Sequence, residues 1–142
     1  MGESRLHAVM KEAVRRRLRA EGFHVLVEPA EPPFPNVAWG SFRPDLMGFN
    51  EASDYASVAL VECETNPTPR RIQAKSRKVK GFRYQGTLHR RHSLRFILAI
   101  PHGKLNRLIG SGFRATWETW LIDAQEGVIL SLIPRIDEAR YS

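Results

Sequence analysis

The run of residues 94–100 constrains the fold more than any other segment of this 142-residue chain. Apart from Arg95 it is entirely apolar, and it has the length of a typical strand. A short apolar run that does not alternate with polar residues is typical of a β-strand covered on both faces. The chain is therefore expected to build a sheet with helices packed against both of its sides.

The rest of the pattern supplies those helices and further strands. Apolar residues at spacings of three and four predict a first helix over residues 3–21. Thr68 and Pro69 form a helix-opening pair, which predicts a second helix running to about Tyr84. The other expected elements are strands at 23–28, 43–49, 57–64, 94–100, 117–123 and 128–133, a loop at 29–41, a turn at 50–54 and a short helix at 106–113. This order predicts an α/β fold, a single mixed β-sheet flanked by helices and closed by a C-terminal β-hairpin.

Length, cysteine content and hydropathy narrow the class of protein. The length suits one domain, taken here as residues 1–142. The single cysteine, Cys63, excludes an internal disulfide framework and a cysteine-rich zinc module. No apolar stretch is long enough to span a bilayer, and no signal-peptide pattern follows Met1. The expectation is a cytoplasmic protein without a membrane partner.

The charge is unevenly distributed. Lys and Arg number 22 against 15 Asp and Glu, so the net charge is +7, and the segment between Glu64 and Glu118 contains no acidic residue. Positive charge without interleaved acids favours contact with a phosphate backbone, although a solvated helix face is the alternative interpretation. The residues predicted to contact nucleic acid are Arg70, Arg71, Arg77, Lys78, Lys80, Arg83, Arg90 and Arg91.

Carboxylates gather at the end of one predicted strand. Glu62 and Glu64 lie two residues apart, so they share a face with the apolar residues that precede them. If residues 43–49 pair with this strand as a hairpin, Asp45 comes near Glu62. Three carboxylates around one point suit Mg²⁺ or Mn²⁺. The alternative is a strand that emerges at the surface and ends in two solvated glutamates.

Lys75 falls in an unexpected place on the second helix. At 100° per residue it lies between Val79 and Phe82 on the apolar stripe that Ile72 begins. An acidic pocket above the stripe would explain this position. The other explanation is that the lysine extends past the stripe to water.

These residues together resemble the PD-(D/E)XK nuclease superfamily, whose fold is restriction-endonuclease-like or Holliday-junction-resolvase-like. Pro44 and Asp45 match the PD element, and the segment 62–64 matches (D/E)XK with Glu64 in the usual lysine position. The element order from the first helix to the strand at 94–100 matches the restriction-endonuclease-like core.

The resemblance implies Mg²⁺- or Mn²⁺-dependent hydrolysis of phosphodiester bonds. In that case Asp45, Glu62 and the backbone carbonyl of Cys63 would hold the metal, and Glu64 or Lys75 would orient or deprotonate the attacking water. Glu3 or Glu12 on the first helix is a candidate accessory ligand, with Glu3 preferred because it lies on the face of Leu6 and Met10. The alternative interpretation is an ordinary acid on the helix surface.

The sequence therefore predicts a metal-dependent DNA endonuclease, with selectivity for branched DNA as one version of the hypothesis. Two active sites are needed to cut both strands of a duplex, so the hypothesis includes a homodimer. Two alternatives stay open: a non-catalytic nucleic-acid-binding module on the same fold, and a basic adaptor that binds an acidic protein.

Overall fold

A computed structural model of the chain describes residues 4–30, 37–38, 42–52, 55–79, 83–84, 91–108 and 112–136. Within these ranges the helices and strands alternate much as expected from the sequence. In chain order they are α1 (Arg5–Ala20), β1 (His24–Val27), β2 (Val37–Ala38), β3 (Leu46–Ala52), β4 (Tyr55–Cys63), α2 (Pro69–Val79), β5 (Arg83–Tyr84), β6 (Arg91–Pro101), a 3-10 helix (His102–Leu108), α3 (Phe113–Thr116), β7 (Glu118–Asp123) and β8 (Val128–Ile133).

Six of the strands form one mixed sheet in the order β1-β3-β4-β6-β7-β8. The strands β4, β6 and β7 run parallel, whereas β1, β3 and β8 pair antiparallel to their neighbours. Because β4, β6 and β7 are parallel, their carboxyl ends meet at one edge of the sheet. The predicted α/β fold, with a mixed sheet flanked by helices and a C-terminal hairpin of β7 and β8, is confirmed.

The strand β6 is central, as its apolar run predicts. Its alternate residues pack into two different cores: Leu98 and Ile100 face α2, whereas Ile97 and Ala99 face α1. All four side chains are fully buried. Burial of one aliphatic side chain contributes about 1.5–3 kcal/mol to the stability of the fold. Because β6 buries such side chains on both faces, it stabilises the packing of both helical layers against the sheet.

The helix α1 begins with a capped first turn. The Ser4 hydroxyl accepts a hydrogen bond from the backbone N–H of His7, which satisfies one of the free donors of the helix. Its buried face includes Met10, Val14 and Leu18, and this face covers one side of the sheet. No helix within the described ranges is long and apolar enough to cross a bilayer.

Three local predictions were wrong. The second helix does not reach residue 84, because the backbone of Arg83–Tyr84 pairs with Val37–Ala38 as a small separate sheet. Residues 50–52 are not part of a turn but extend β3, pairing with residues 55–57. The helix expected at 106–113 is instead a 3-10 helix that ends at Leu108, followed by α3 from Phe113.

Candidate functional site

The hairpin of β3 and β4 brings Asp45 to the carboxyl end of β4. Leu46 pairs with Val61, and the backbone N–H of Asp45 donates to the Val61 carbonyl at 2.9 Å. The Asp45 carboxylate in turn accepts a hydrogen bond from the backbone N–H of Cys63, with Oδ2 at 2.7 Å from the nitrogen. The expected approach of Asp45 to the segment 62–64 is therefore present, and it is fixed by main-chain as well as side-chain hydrogen bonds.

Glu62 and Glu64 are both nearly inaccessible to solvent, with 8% and 4% of their surfaces exposed. They continue the face of β4 on which Leu60 packs toward α2. Buried carboxylates are costly unless cations or hydrogen bonds compensate them. This burial excludes the alternative in which the strand ends in two solvated glutamates.

The compensating cations come from α2. The Lys75 ammonium bonds the Glu62 carboxylate and lies 3.6 Å from Oε2 of Glu64. The Arg71 guanidinium lies 3.1 Å from Oε1 of Glu64. Lys75 thus lies in an acidic pocket, which was one of the two interpretations of its position on the apolar stripe, and it does not simply extend past the stripe to water.

The charge at this site is not fully balanced. Burial and the nearby charge of Asp45 raise the pKa of Glu62 to about 7, although Lys75 opposes the shift. A carboxyl with a pKa this high is a common feature of functional sites, because burial and like charges are seldom brought together for stability alone.

A histidine completes the arrangement from the other side of the sheet. His7, in the first turn of α1, places Nε2 at 3.3 Å from Oδ2 of Asp45 and 3.1 Å from the carbonyl oxygen of Cys63. Both of these atoms are acceptors, so Nε2 carries the proton in this arrangement.

Sequence reasoning missed His7, although a signal for it was present. The residue lies three, seven and eleven positions before Met10, Val14 and Leu18, so it continues the buried face of α1. Lys75 was identified as a candidate by the same signal, which is a polar residue on the apolar face of a helix.

The donor atoms fit a divalent cation in chemical type once Nε2 of His7 gives up its proton, because only the unprotonated nitrogen has a lone pair for a metal. An imidazole nitrogen, a carboxylate oxygen and a backbone carbonyl oxygen converge at His7, Asp45 and Cys63, and carboxylate and carbonyl oxygens are preferred by Mg²⁺ and Mn²⁺. Within the described part of the chain, however, no three His, Cys, Asp or Glu side chains form a ready-made metal cluster. The carboxylate of Glu62, which would be a further ligand, bonds Lys75 instead.

The other predicted site residues lie away from this cluster or outside the described residues. Glu12 forms ion pairs with Arg15 and Arg16, at 2.7 and 3.0 Å, on the surface of α1. The two hydrogen-bonded arginines lower the pKa of Glu12 to about 2. Glu3, the other accessory candidate, falls outside the described residues.

The predicted nucleic-acid contacts divide in a similar way. Arg70, Arg71, Arg77 and Lys78 are exposed on α2, and of these Arg71 contacts the site. Arg83 and Arg91 begin strands, whereas Lys80 and Arg90 lie outside the described residues.

Comparisons with known proteins find two similar solved structures but no matching family. A scan of protein-family models finds no match, and neither does a search of curated proteins. One similar solved structure is described as an FdxN element excision controlling factor protein from Anabaena variabilis, with 14% identity and a TM-score of 0.49. The match covers 89% of this chain and 98% of that one.

A second similar structure is an XisH family protein from Nostoc punctiforme. It shares 14% identity with a TM-score of 0.42, and the match covers 92% of this chain and 99% of the other. At this level of similarity neither structure carries information about the chemistry of the site.

Proposed function

We propose that this chain is a divalent-metal-dependent phosphodiesterase that cleaves DNA, with a PD-(D/E)XK-like active site. The observation that carries the proposal is the convergence of Asp45, Glu62, Glu64 and Lys75 at the carboxyl end of β4. The element order from α1 to β6, apart from the short strands β2 and β5, also agrees with the core that the sequence resemblance implies.

Each residue has a role that its contacts support. Asp45, the Cys63 carbonyl and His7 would hold the metal, with Glu62 as the adjoining carboxylate. A bound divalent ion lowers the pKa of a coordinated water and offsets negative charge on the phosphate. Mg²⁺ or Mn²⁺ is the expected cofactor.

Lys75 supplies the positive charge of the missing motif lysine. Glu64 stands where that lysine is usual, and the Lys75 ammonium lies 3.6 Å from its carboxylate, so the charge arrives from α2 instead of β4. A cation held beside the acidic cluster would stabilise the charge that develops on the phosphate oxygens during hydrolysis. Arg71, bound to Glu64, would hold that carboxylate in place.

Cleavage of DNA with matched variants tests the proposal. Wild-type protein should nick plasmid DNA with Mg²⁺ or Mn²⁺, and Asp45→Asn and Glu62→Gln should each reduce the rate at least about 100-fold, since metal-site residues contribute several kcal/mol to catalysis. Glu126→Gln removes the same charge from an exposed turn and should cleave like the wild type. Equal cleavage by all four proteins would indicate a contaminating nuclease and would refute the assignment.

A second function is favoured by one observation. The Lys75 ammonium bonds the Glu62 carboxylate and thereby occupies a predicted metal ligand, as would suit a nucleic-acid-binding module that has lost catalysis. In this case the wild-type protein should bind DNA equally with and without divalent metal, and cleave it under neither condition.

A further inference from the structure

The 3-10 helix that follows β6 carries cations that the proposed catalytic cluster does not use. Lys104 and Arg107 project from this helix, which begins where β6 ends, beside the carboxyl end of β4. Because β4 and β6 are parallel neighbours, the helix lies at the same edge of the sheet as Glu62 and Glu64.

Both cations contact the loop that leaves the site. The Lys104 ammonium donates to the Thr65 carbonyl at 2.7 Å, and the Arg107 guanidinium donates to the Asn66 side-chain carbonyl at 2.9 Å. Each contact uses a single donor nitrogen, whereas an ammonium has three N–H groups and a guanidinium has five. Arg107 and Asn66 are exposed, so N–H groups of Arg107 remain accessible to a ligand.

A groove of about 500 Å³ runs from these residues toward the turn after β7. Its lining includes His102, Lys104, Arg107 and Asp123. Asp123, its only acidic lining residue among those described, accepts hydrogen bonds from the backbone N–H groups of Gln125 and Glu126 at 2.9 and 3.1 Å. The groove lining thus carries two cations, Lys104 and Arg107, against one carboxylate, which already accepts two backbone hydrogen bonds.

We infer that this groove binds the phosphodiester backbone of the nucleic acid. The inference rests on the proposed function, because it assumes that the reacting phosphate lies at Asp45 and Glu62. The strand would pass from there over Thr65 and Asn66, with its phosphates contacting Lys104 and Arg107. Phosphate contacts of this kind position the nucleic acid without reading its sequence.

Salt-dependent binding of a labelled 20-base-pair duplex, measured in chelator so that no cleavage occurs, tests this path. The double variant Lys104→Gln/Arg107→Gln should bind about tenfold more weakly than the wild type at low salt. The slope of log affinity against log salt should become shallower by about 1 to 2, because each lost phosphate contact contributes about 0.9.

The matched control is Arg17→Gln/Arg19→Gln. It removes the same charge from exposed positions near the other end of α1, about 15 and 18 Å along the helix from His7. Its salt slope should equal that of the wild type. If both double variants reduce the slope equally, the positive charge acts only non-specifically, and the inferred path is overturned.

A second control separates phosphate contact from loop structure. Asn66→Ala removes the partner of Arg107 without changing any charge, and it should leave the slope unchanged. If Asn66→Ala weakens binding as much as the double variant does, Lys104 and Arg107 only hold the loop, which overturns the inference. Cleavage is measured separately. A wild-type protein that binds DNA through the groove without cleaving it would refute the proposed nuclease activity but support the inferred groove. A wild-type protein that cleaves DNA although Lys104 and Arg107 contribute nothing to binding would support the nuclease activity and refute the groove.

Discussion

Glu62 is the residue of the site on whose pKa burial and a neighbouring cation act in opposite directions. It is buried, it lies near Asp45, and its cation partner Lys75 compensates only part of the cost. A carboxyl retained for stability alone would not have a pKa of about 7. Ionising such a group costs more free energy in the folded protein than in the unfolded chain, so its ionisation lowers the free energy of unfolding. Glu62 therefore costs stability at neutral pH in the metal-free protein.

The pH dependence of this cost has a definite sign. The pKa of Glu62 is raised from 4.5 to about 7, so between these pH values the folded protein retains a proton that the unfolded chain releases. The free energy of unfolding should consequently fall as the pH rises through this window, by at most about 3 kcal/mol. Denaturant unfolding of Glu62→Gln in chelator should show a flatter profile over the same window. An identical decrease in the variant and the wild type would show that other groups titrate there, and Glu126→Gln should retain the wild-type profile.

Removal of Lys75 should lower stability most at high pH, where Glu62 is ionised. Replacing it with Met leaves the buried carboxylates of Glu62 and Glu64 near Asp45 without their closest cation, so the variant should lose about 1–3 kcal/mol of stability at pH 8. The loss should shrink below pH 5, where Glu62 is protonated. Lys78→Met, at an exposed position of the same helix, should change stability by less than about 0.5 kcal/mol at either pH.

Both residues were accessible to sequence reasoning because each depends on a fixed periodicity. The two-residue repeat of a strand placed Glu62 and Glu64 on one face. The 100° turn of a helix placed Lys75 on an apolar stripe, for which an acidic pocket was one of two explanations. For His7 the local pattern indicated only that it continues the buried face of α1, whereas its contact with the end of β4 depends on how α1 packs on the sheet, which no local pattern supplies. The contacts of Lys104 with Thr65 and of Arg107 with Asn66 likewise depend on the parallel pairing of β4 and β6, which brings together residues far apart in the sequence.

At the scale of whole elements, one arginine of the basic segment serves the fold itself. Arg95 in β6 donates to both carboxylate oxygens of Glu118 in β7, at 3.0 and 2.6 Å, and its Nη1 lies 3.6 Å from Glu21 at the end of α1. Its guanidinium also lies 6.0 Å from the ring centres of Phe23 and Trp120. Arg95 therefore ties β6, β7 and α1 together, and its charge is not a free phosphate contact.

Removing this arginine should destabilise the fold. Arg95→Met leaves Glu118, which is 18% exposed, with the Trp120 indole as a neutral donor at 2.8 Å, so the free energy of unfolding should fall by about 2–4 kcal/mol. Urea denaturation measures the loss. Arg19→Met, exposed on α1, is the control and should be nearly neutral. A loss at Arg95 as small as the control's would mean that the ion pair contributes no net stability.

The limits of helices and strands were predicted well where the side-chain pattern determines them. They were predicted poorly where main-chain pairing with a distant segment determines them. The strand at residues 128–133 has the predicted limits, because it is bounded by a turn with Gly127 at a positive φ of 65°. The helix predicted to continue to Tyr84 did not, because Arg83–Tyr84 pairs with Val37–Ala38, 45 or more residues earlier in the chain. Such long-range pairing leaves no mark in the local periodicity.

At the scale of the whole molecule, the charge is divided between an acidic cluster at one edge of the sheet and cations on the elements that surround it. Arg71 and Lys75 come from α2, whereas Lys104 and Arg107 come from the 3-10 helix after β6. A polyanion drawn to these cations would bring its phosphates close to carboxylates that repel them. A divalent cation between the two resolves this conflict, which is why metal and nucleic acid belong to one hypothesis.

Metal binding should therefore stabilise the whole fold, independently of any catalysis. The donors His7, Asp45 and Cys63 belong to α1, the start of β3 and the end of β4, so an ion held by them links elements distant in sequence. A ligand that binds only the folded state stabilises it by about 2.7 kcal/mol at 100 times its Kd. Saturating Mn²⁺ or Mg²⁺ should consequently raise the Tm of the wild type by several degrees.

Two variants test how much each proposed ligand contributes to this Tm shift, and a third is the control. Asp45→Asn should abolish it for both metals, because the carboxylate charge is lost. His7→Gln should reduce the Mn²⁺ shift more than the Mg²⁺ shift, since imidazole is a better ligand for Mn²⁺ than for the harder Mg²⁺. Glu126→Gln should retain the full shift. A wild-type Tm that neither metal changes at millimolar concentration would mean that Lys75, and not a metal, is the permanent partner of the acidic cluster, and the binding-module alternative would then be preferred.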